Sequence, residues 1–258
     1  MMQELLSFKE LQCKVARELS KYRVSLSSFN IIPSGQSASI LDVWKPQFFY
    51  EQFITHYSAC INKILAVNNR LSRNVVGART LKVSTVSDDE RCAFFDTNHV
   101  QGNGQGFCIG LYDNTGLLLS AMIVKRAPKN SSSAGYWELN RYASMPSIFV
   151  VGGFEKLLRA AESTLGIDKW ISYADLMVSH GSLYQKQGWS LIGRSAPDYK
   201  CLYNGILYHK FNFRISRFIS DERLLYKDGY TEKQLDALNR IVRVYDCGKL
   251  KFEKIEKS

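Results

Sequence analysis

Residues 138–158 read ELNRYASMPSIFVVGGFEKLL. With Tyr136 and Trp137 before it, the first part is a strand by its aromatic and apolar spacing. That strand, residues 136–143 (YWELNRYA), leads on through Met145-Pro146. Val151-Gly152-Gly153 follows, and residues 154–165 (FEKLLRAAESTL) are the clearest helix in the chain. Glycines at a strand-to-helix turn let backbone approach a ligand closely. The helix start then offers unpaired N–H groups to an anion. Residues 169–174 (KWISYA) form the next strand, with Asp175 at its end, and SLYQKQGW (182–189) comes after it.

Working outward, residues 80–86 alternate as a strand and 88–95 look helical. Residues 107–112 and 117–125 are strands joined by the hairpin signal Asp113-Asn114-Thr115-Gly116. Residues 130–135 are a loop, 181–187 a short helix, and 189–194 and about 199–211 are strands. The order β-α-β-β-β-α-β-α-β-β predicts an α/β (α+β) fold with a mixed central sheet. Residues 1–75 are expected to be a helical extension. Leu5, Leu6, Leu11, Val15 and Leu19 recur near a helical period, a loop runs from Ile32 to Ser39, and a second helix is expected over about 46–71. The aromatics of that helix (Phe48, Phe49, Tyr50, Phe53, Tyr57) read as core. Residues 76–213 are the expected main domain. Residues 214–258 are an expected helical extension, with Thr231 capping a helix over 232–242.

The chain has 258 residues, 45% hydrophobic and 22% charged, which excludes global disorder. Its longest apolar run, LLLSAMIV (117–124), is strand-sized, so no membrane partner is expected. The first ten residues, MMQELLSFKE, carry acidic residues where a signal peptide has a basic lead, so a cytoplasmic location is expected. Six cysteines, at 13, 60, 92, 108, 201 and 247, form no CxxC pair and read as reduced thiols. The net charge is +10 and is spread along the chain. A basic chain is drawn to polyanions such as DNA.

The stretch from Glu138 to Trp189 resembles the GCN5-related N-acetyltransferase (GNAT) superfamily. Glu138 matches the family's strand glutamate, Pro146 its proline, Gly152 the first glycine of its pyrophosphate-binding turn, and Lys156-Leu157-Leu158 the helix start. Leu183-Tyr184-Gln185-Lys186-Gln187-Gly188-Trp189 matches the family's LYEKLGF motif. Phe149 and Phe154 stand where the family's turn has Arg/Gln and Gly/Ala, and Phe154 is expected to crowd it. The resemblance covers about residues 80–212 and implies splayed fourth and fifth strands and an acetyl-CoA or other acyl-CoA donor. A narrower set is similar to bacteriophage proteins called Hef-like homing endonucleases, whose core resembles the Mom family of phage DNA-modifying transferases. That set is NHVQG (98–102), ELNR (138–141), GGFEKL (152–157), SYAD (172–175), LYQKQGW (183–189) and YDCG (245–248). No HNH, GIY or LAGLIDADG pattern accompanies it.

On this resemblance, Val151, Gly152, Gly153, Phe154, Lys156 and Ser182 are the expected donor-binding residues. Glu138 or Asp175 is the expected base and Tyr184 the acid that protonates a leaving thiolate. His99 is a base or an acceptor contact, and could share a metal with Asp175, although no metal is expected. Asn98, Gln101 and Arg141 are expected on the acceptor side. Each has a structural alternative: a cap for Asp175, an ion-paired strand carboxylate for Glu138, a packing ring for Tyr184, and a helix-end contact for His99. Three functions follow. One is a transferase acting on a DNA base amino group, flipped out or single-stranded. Another is a GNAT enzyme acting on a small amine or protein. The third is a non-catalytic DNA-binding protein. A homodimer is compatible with all three.

Overall fold

The computed structural model describes residues 6–41 and 43–255. Leu5 of the first helical pattern lies outside the described residues. The N-terminal part holds α1 (Phe8–Ser20), β1 (Asn30–Ile32), β2 (Gln47–Phe49), α2 (Tyr50–Thr55) and α3 (Tyr57–Val67). The central part runs β3 (Asn74–Gly77), β4 (Lys82–Thr85), α4 (Asp88–Asn98), β5 (Phe107–Tyr112), β6 (Leu118–Arg126), β7 (Trp137–Ser144), β8 (Ile148–Val151), α5 (Gly153–Leu165), β9 (Lys169–Asp175), α6 (Ser182–Lys186) and β10 (Ser190–Arg194). The remainder is β11 (Tyr199–Tyr203), β12 (Ile206–His209), α7 (Ile215–Ser220), α8 (Glu232–Leu238), β13 (Val242–Tyr245) and β14 (Lys249–Ile255).

Every residue from Leu118 to Val124 is buried, so β6 is covered on both faces and must be central. It sits in a seven-stranded sheet of order β10-β14-β9-β7-β6-β5-β4. Every adjacent pair of strands in this sheet is antiparallel except β7 with β9, which is parallel. Asp113 closes the β5–β6 hairpin by accepting from the backbone of Thr115 and Leu117. Helix α5 lays Phe154, Leu157, Leu158 and Ala161 on the sheet beside Leu111, Met122 and Trp170.

The parallel pair is bonded at three positions only, Trp137 to Trp170, Glu138 to Ile171 and Leu139 to Ser172. Past Leu139 the two strands part. The cause lies in β7: Val124 faces Leu139 and Ile123 faces Arg141, so Asn140 is an extra residue in the ladder. Such a bulge bends its strand and ends local pairing. Ser172 is fully buried and its hydroxyl reaches the Leu139 carbonyl at 2.8 Å, satisfying that group where the ladder stops. The expected splay is present.

Three expectations are corrected. Residues 46–71 are not one helix. Gln47–Phe49 pair parallel with β1, and helices α2 and α3 break at His56, whose φ is −134° and ψ 45°. The aromatic stripe is core as expected, with Phe48, Phe49, Tyr50 and Phe53 buried. The tail from Arg214 is not helical throughout. Lys249–Ile255 is a strand that lies between β9 and β10 and pairs antiparallel with both. Its Phe252 is fully buried and stacks on Tyr184 at 5.0 Å, a non-local contact that a helical reading misses. The strands expected over 199–211 form a hairpin in a separate sheet of order β12-β11-β13. Residues 195–248 are thus an insertion between two adjacent strands of the central sheet, with its own core around Phe213, Phe218 and Leu235. The central sheet needs residues on both sides of 213, the boundary expected from the sequence.

Candidate active site

A cavity of about 540 Å³ opens where β7 and β9 part. Leu139–Ser144 of β7 line one wall, and Tyr173, Ala174 and Asp175 of β9 the other. The start of α5, the end of α4, and Asn62 and Lys63 of α3 complete it. Ligands of open α/β sheets gather at such a split, outside the strand ends.

Helix α5 starts at this cavity. Gly152 is its N-cap at φ 74°, a left-handed conformation that glycine adopts without strain, and no side chain caps the helix. A Cβ on Gly153 would meet Val150 at 2.7 Å. The Phe154 ring turns into the core, 4% exposed, edge-on to Tyr142 and Tyr184. It does not crowd the turn, because its side chain points into the sheet rather than over the glycines. Phe149, at 50% exposure, lines the cavity.

Ten of the expected residues line this one cavity: His99, Asn98, Gln101, Arg141, Gly152, Gly153, Phe154, Asp175, Ser182 and Tyr184. Three do not. Glu138 stands before the split, where Asn140 donates to it at 2.9 Å and Lys125 pairs with it at 3.4 Å. Val151 is half-exposed outside the cavity. The Lys156 ammonium donates to the carbonyls of Ala78 and Leu81, at 2.9 and 2.6 Å, and ties α5 to the chain entering β4.

Asp175 accepts the Met177 backbone N–H at 3.0 Å on one oxygen and the Gln101 amide at 2.7 Å on the other. It caps a turn and also faces the cavity, with two of its roughly four lone-pair sites left. His99 accepts the Gln101 backbone N–H on Nδ1 at 3.2 Å. A neutral ring so held carries its proton on Nε2 and presents a donor. Burial, then the charges of Arg141, Lys63 and His56, hold its pKa well below the usual histidine value. Asn98 donates back to the Phe94 carbonyl, and Arg141 to the carbonyls of Gly102 and Asn140.

The Tyr184 ring stacks on Phe252 at 5.0 Å, and its hydroxyl lies 2.8 Å from Ser172 Oγ. Ser172 has one proton and two partners, the Leu139 carbonyl and Tyr184 Oη. When the serine proton is on Leu139, the tyrosine donates. When the serine turns, it supports a tyrosinate. Burial raises the Tyr184 pKa, so the hydroxyl keeps its proton at neutral pH.

Sequence reasoning missed Lys63 and Arg73, which also line the cavity. Lys63 sits in α3 beside buried Cys60, Ile61 and Ile64, and a lysine within so apolar a helix was the available signal. Burial and Arg73 lower its pKa, against the opposing effect of Asp175. Lys63, Arg73 and Arg141 therefore face a single lining carboxylate, Asp175. Among the described residues no group of three or more His, Cys, Asp and Glu is placed to hold a metal ion, and Gln101 occupies one oxygen of the Asp175 that was paired with His99 for that role.

No protein-family profile and no curated protein matches the chain. Several solved structures are similar to it. A Bacillus subtilis acetyltransferase in complex with CoA shares 16% identity over 69% of this chain and 99% of that one, with a TM-score of 0.38. A GCN5-related N-acetyltransferase from Kribbella flavida shares 10% over 69% and 99%, with a TM-score of 0.38. A spermidine/spermine N-acetyltransferase from Vibrio cholerae in complex with manganese ions shares 8% over 69% and 94%, with a TM-score of 0.37. Likeness at this level carries no argument about activity. The fold itself, a mixed α/β sheet whose parallel pair splits beside a glycine turn, is the one that the GNAT-like pattern of residues 138–189 implied.

Proposed function

We propose that the protein is an N-acyltransferase that takes its acyl group from a coenzyme A thioester and gives it to an amino group of a DNA base. The observation that carries the transferase reading is the split of β7 from β9 beside the uncapped start of α5. Coenzyme A fits the residues present. No side chain caps the first N–H groups of α5, which suit a pyrophosphate. Ser182 adds a hydroxyl at the cavity, and Phe149 an apolar face. Acyl transfer replaces a carbon–sulfur bond with a carbon–nitrogen bond, so one proton leaves the amine and one reaches the departing sulfur. Asp175 is the carboxylate that takes the first, and Tyr184 Oη holds the second. Ser172 stands beside Tyr184 to support the tyrosinate that remains. Gln101 fixes Asp175, and His99 Nε2–H supplies a donor to the acceptor.

The DNA acceptor rests on charge. Lys63, Arg73 and Arg141 outnumber the one lining carboxylate, and the chain carries +10. Such a site repels polyamines and attracts phosphates. It agrees with the reading of the short motifs from NHVQG to YDCG as resembling phage proteins whose core looks like the Mom DNA-modifying transferases. A small cationic amine is the second reading, favoured by Asp175 alone. Purified protein is given an acyl-CoA with a single-stranded oligonucleotide, a duplex or a polyamine, and free thiol and modified nucleosides are measured by absorbance and mass spectrometry. Acylated nucleoside supports the DNA reading. Acylated polyamine alone replaces it with the second, and no thiol release with any acceptor sinks the transferase.

A further inference from the structure

A second cavity, also about 540 Å³, shares no lining residue with the first. Its lining residues run from Tyr203 to Leu224, all within the 195–248 insertion, which the central sheet does not need for closure. Its volume is that of a small-ligand site. Two walls are Tyr203 and Tyr208, each edge-on to buried Phe213 at 5.6 Å, so the insertion's core fixes them. A third is Phe211, 58% exposed. Phe211 keeps that exposure although Arg214 lies over its ring and the His209 ring stands 4.6 Å away, so ring surface remains for a further flat partner.

The same cavity holds Arg217 and Arg223 on one carboxylate. Asp221 lies 2.6 Å from Arg217 and 2.8 Å from Arg223. The hydrogen bond from Arg223 is the largest influence holding Asp221 well below the usual carboxylate range. Two guanidiniums against one carboxylate leave a net positive charge. Asp221 occupies Nε and one terminal nitrogen of Arg223, so the remaining N–H donors of its fork are free to meet an oxyanion. Arg214 adds a third guanidinium, 4.5 Å over the Phe211 ring. Aromatic faces beside guanidinium groups suit a ligand that is both planar and anionic.

We propose that this groove binds single-stranded nucleic acid, with bases stacked on Phe211, Tyr203 and Tyr208 and phosphates on Arg217 and Arg223. A duplex keeps its base faces stacked on one another and has none to offer, whereas a single strand does. The site is separate from the acyl-transfer cavity, and binding is measured without any acyl donor. The groove and the transferase reading therefore stand or fall separately.

The test is fluorescence anisotropy of the full chain with a labelled thymidine oligonucleotide of about twenty nucleotides at low salt. Phe211→Ala is expected to weaken binding about 5- to 150-fold, the range of one lost base–aromatic stack. Phe211→Tyr keeps a ring and is expected to bind within about twofold of wild type, whereas Phe211→Leu, apolar but without a ring face, binds as weakly as the alanine variant. Arg223→Gln lowers the slope of log affinity against log salt by about 0.7, one phosphate contact. Circular dichroism and melting establish that each variant is folded. The proposal is overturned if wild type does not bind, if Phe211→Leu binds like wild type, if a duplex binds more tightly than the strand, or if thymidine monophosphate binds as well as the oligonucleotide.

Discussion

Removing one hydroxyl, in Tyr184→Phe, separates the catalytic from the packing reading of this residue. The ring contacts survive the change: stacking on Phe252 at 5.0 Å, and contacts with Trp189 at 5.3 Å and Phe154 at 6.4 Å. Ser172 keeps the Leu139 carbonyl as its partner at 2.8 Å, so no buried group is orphaned. The structural loss is one hydrogen bond, a net of about 0.5–1.5 kcal/mol. In a chain of this size that lowers the melting temperature by roughly 1–6 °C. The catalytic loss is much larger. A positioned general acid contributes about 100- to 10,000-fold, which is ~2.7–5.5 kcal/mol of barrier. The assay is thiol release from acyl-CoA under saturating acceptor, paired with a thermal melt. Because burial raises the Tyr184 pKa above its ordinary 10.0, wild-type turnover is expected to show no alkaline decline from this group below that pH. A variant with turnover within about threefold of wild type refutes the assignment, since loss of a general acid costs about 100-fold or more.

Asp175→Ala leaves the Gln101 amide and the Met177 N–H without their acceptor. It is expected to cost about 1–3 kcal/mol of stability together with at least about 100-fold in nucleoside modification. A lowered melting temperature with near-normal yield makes Asp175 a turn cap and nothing more. Lys156→Met removes two charged hydrogen bonds to the carbonyls of Ala78 and Leu81, and urea unfolding is expected to show a loss of at least about 1.5–3 kcal/mol. A midpoint shift near zero would mean that water replaces the ammonium. His99 has a folded pKa well below the unfolded value of 6.5, chiefly through burial. The unfolded chain therefore takes up its proton first, and the stability due to this group is full above pH 6.5 and declines as pH falls below it. Urea midpoints should drop on mild acidification in wild type and drop less in His99→Gln. Equal slopes in the two proteins contradict that linkage.

What could be read from residue order alone was whatever neighbouring residues encode. The strand expected over 136–143, the Gly152 turn, helix α5 and the hairpin at Asp113–Gly116 are each written within a dozen residues, as period or glycine, and each formed where expected. The splay of β7 from β9 was implied by the resemblance of residues 138–189, and here it follows from the bulge at Asn140. Most of the expected site residues reached one cavity because strand ends and helix starts meet at that split. Tertiary structure alone decided the rest. The insertion of β14 between β9 and β10 joins residues far apart in the chain, and nothing local in KLKFEKI names its neighbours. Glu138 and Lys156 were assigned by position in a motif, yet each is held by a partner elsewhere in the chain, Lys125 for one and the Ala78 and Leu81 carbonyls for the other. Lys63 and Arg73 reach the cavity only because the N-terminal helices pack beside it. Backbone conformation is set by short-range sterics and turn chemistry. Which way a side chain points, and what it meets there, is set by packing between distant segments, and the charge and proton chemistry of this cavity belong to that second kind of information.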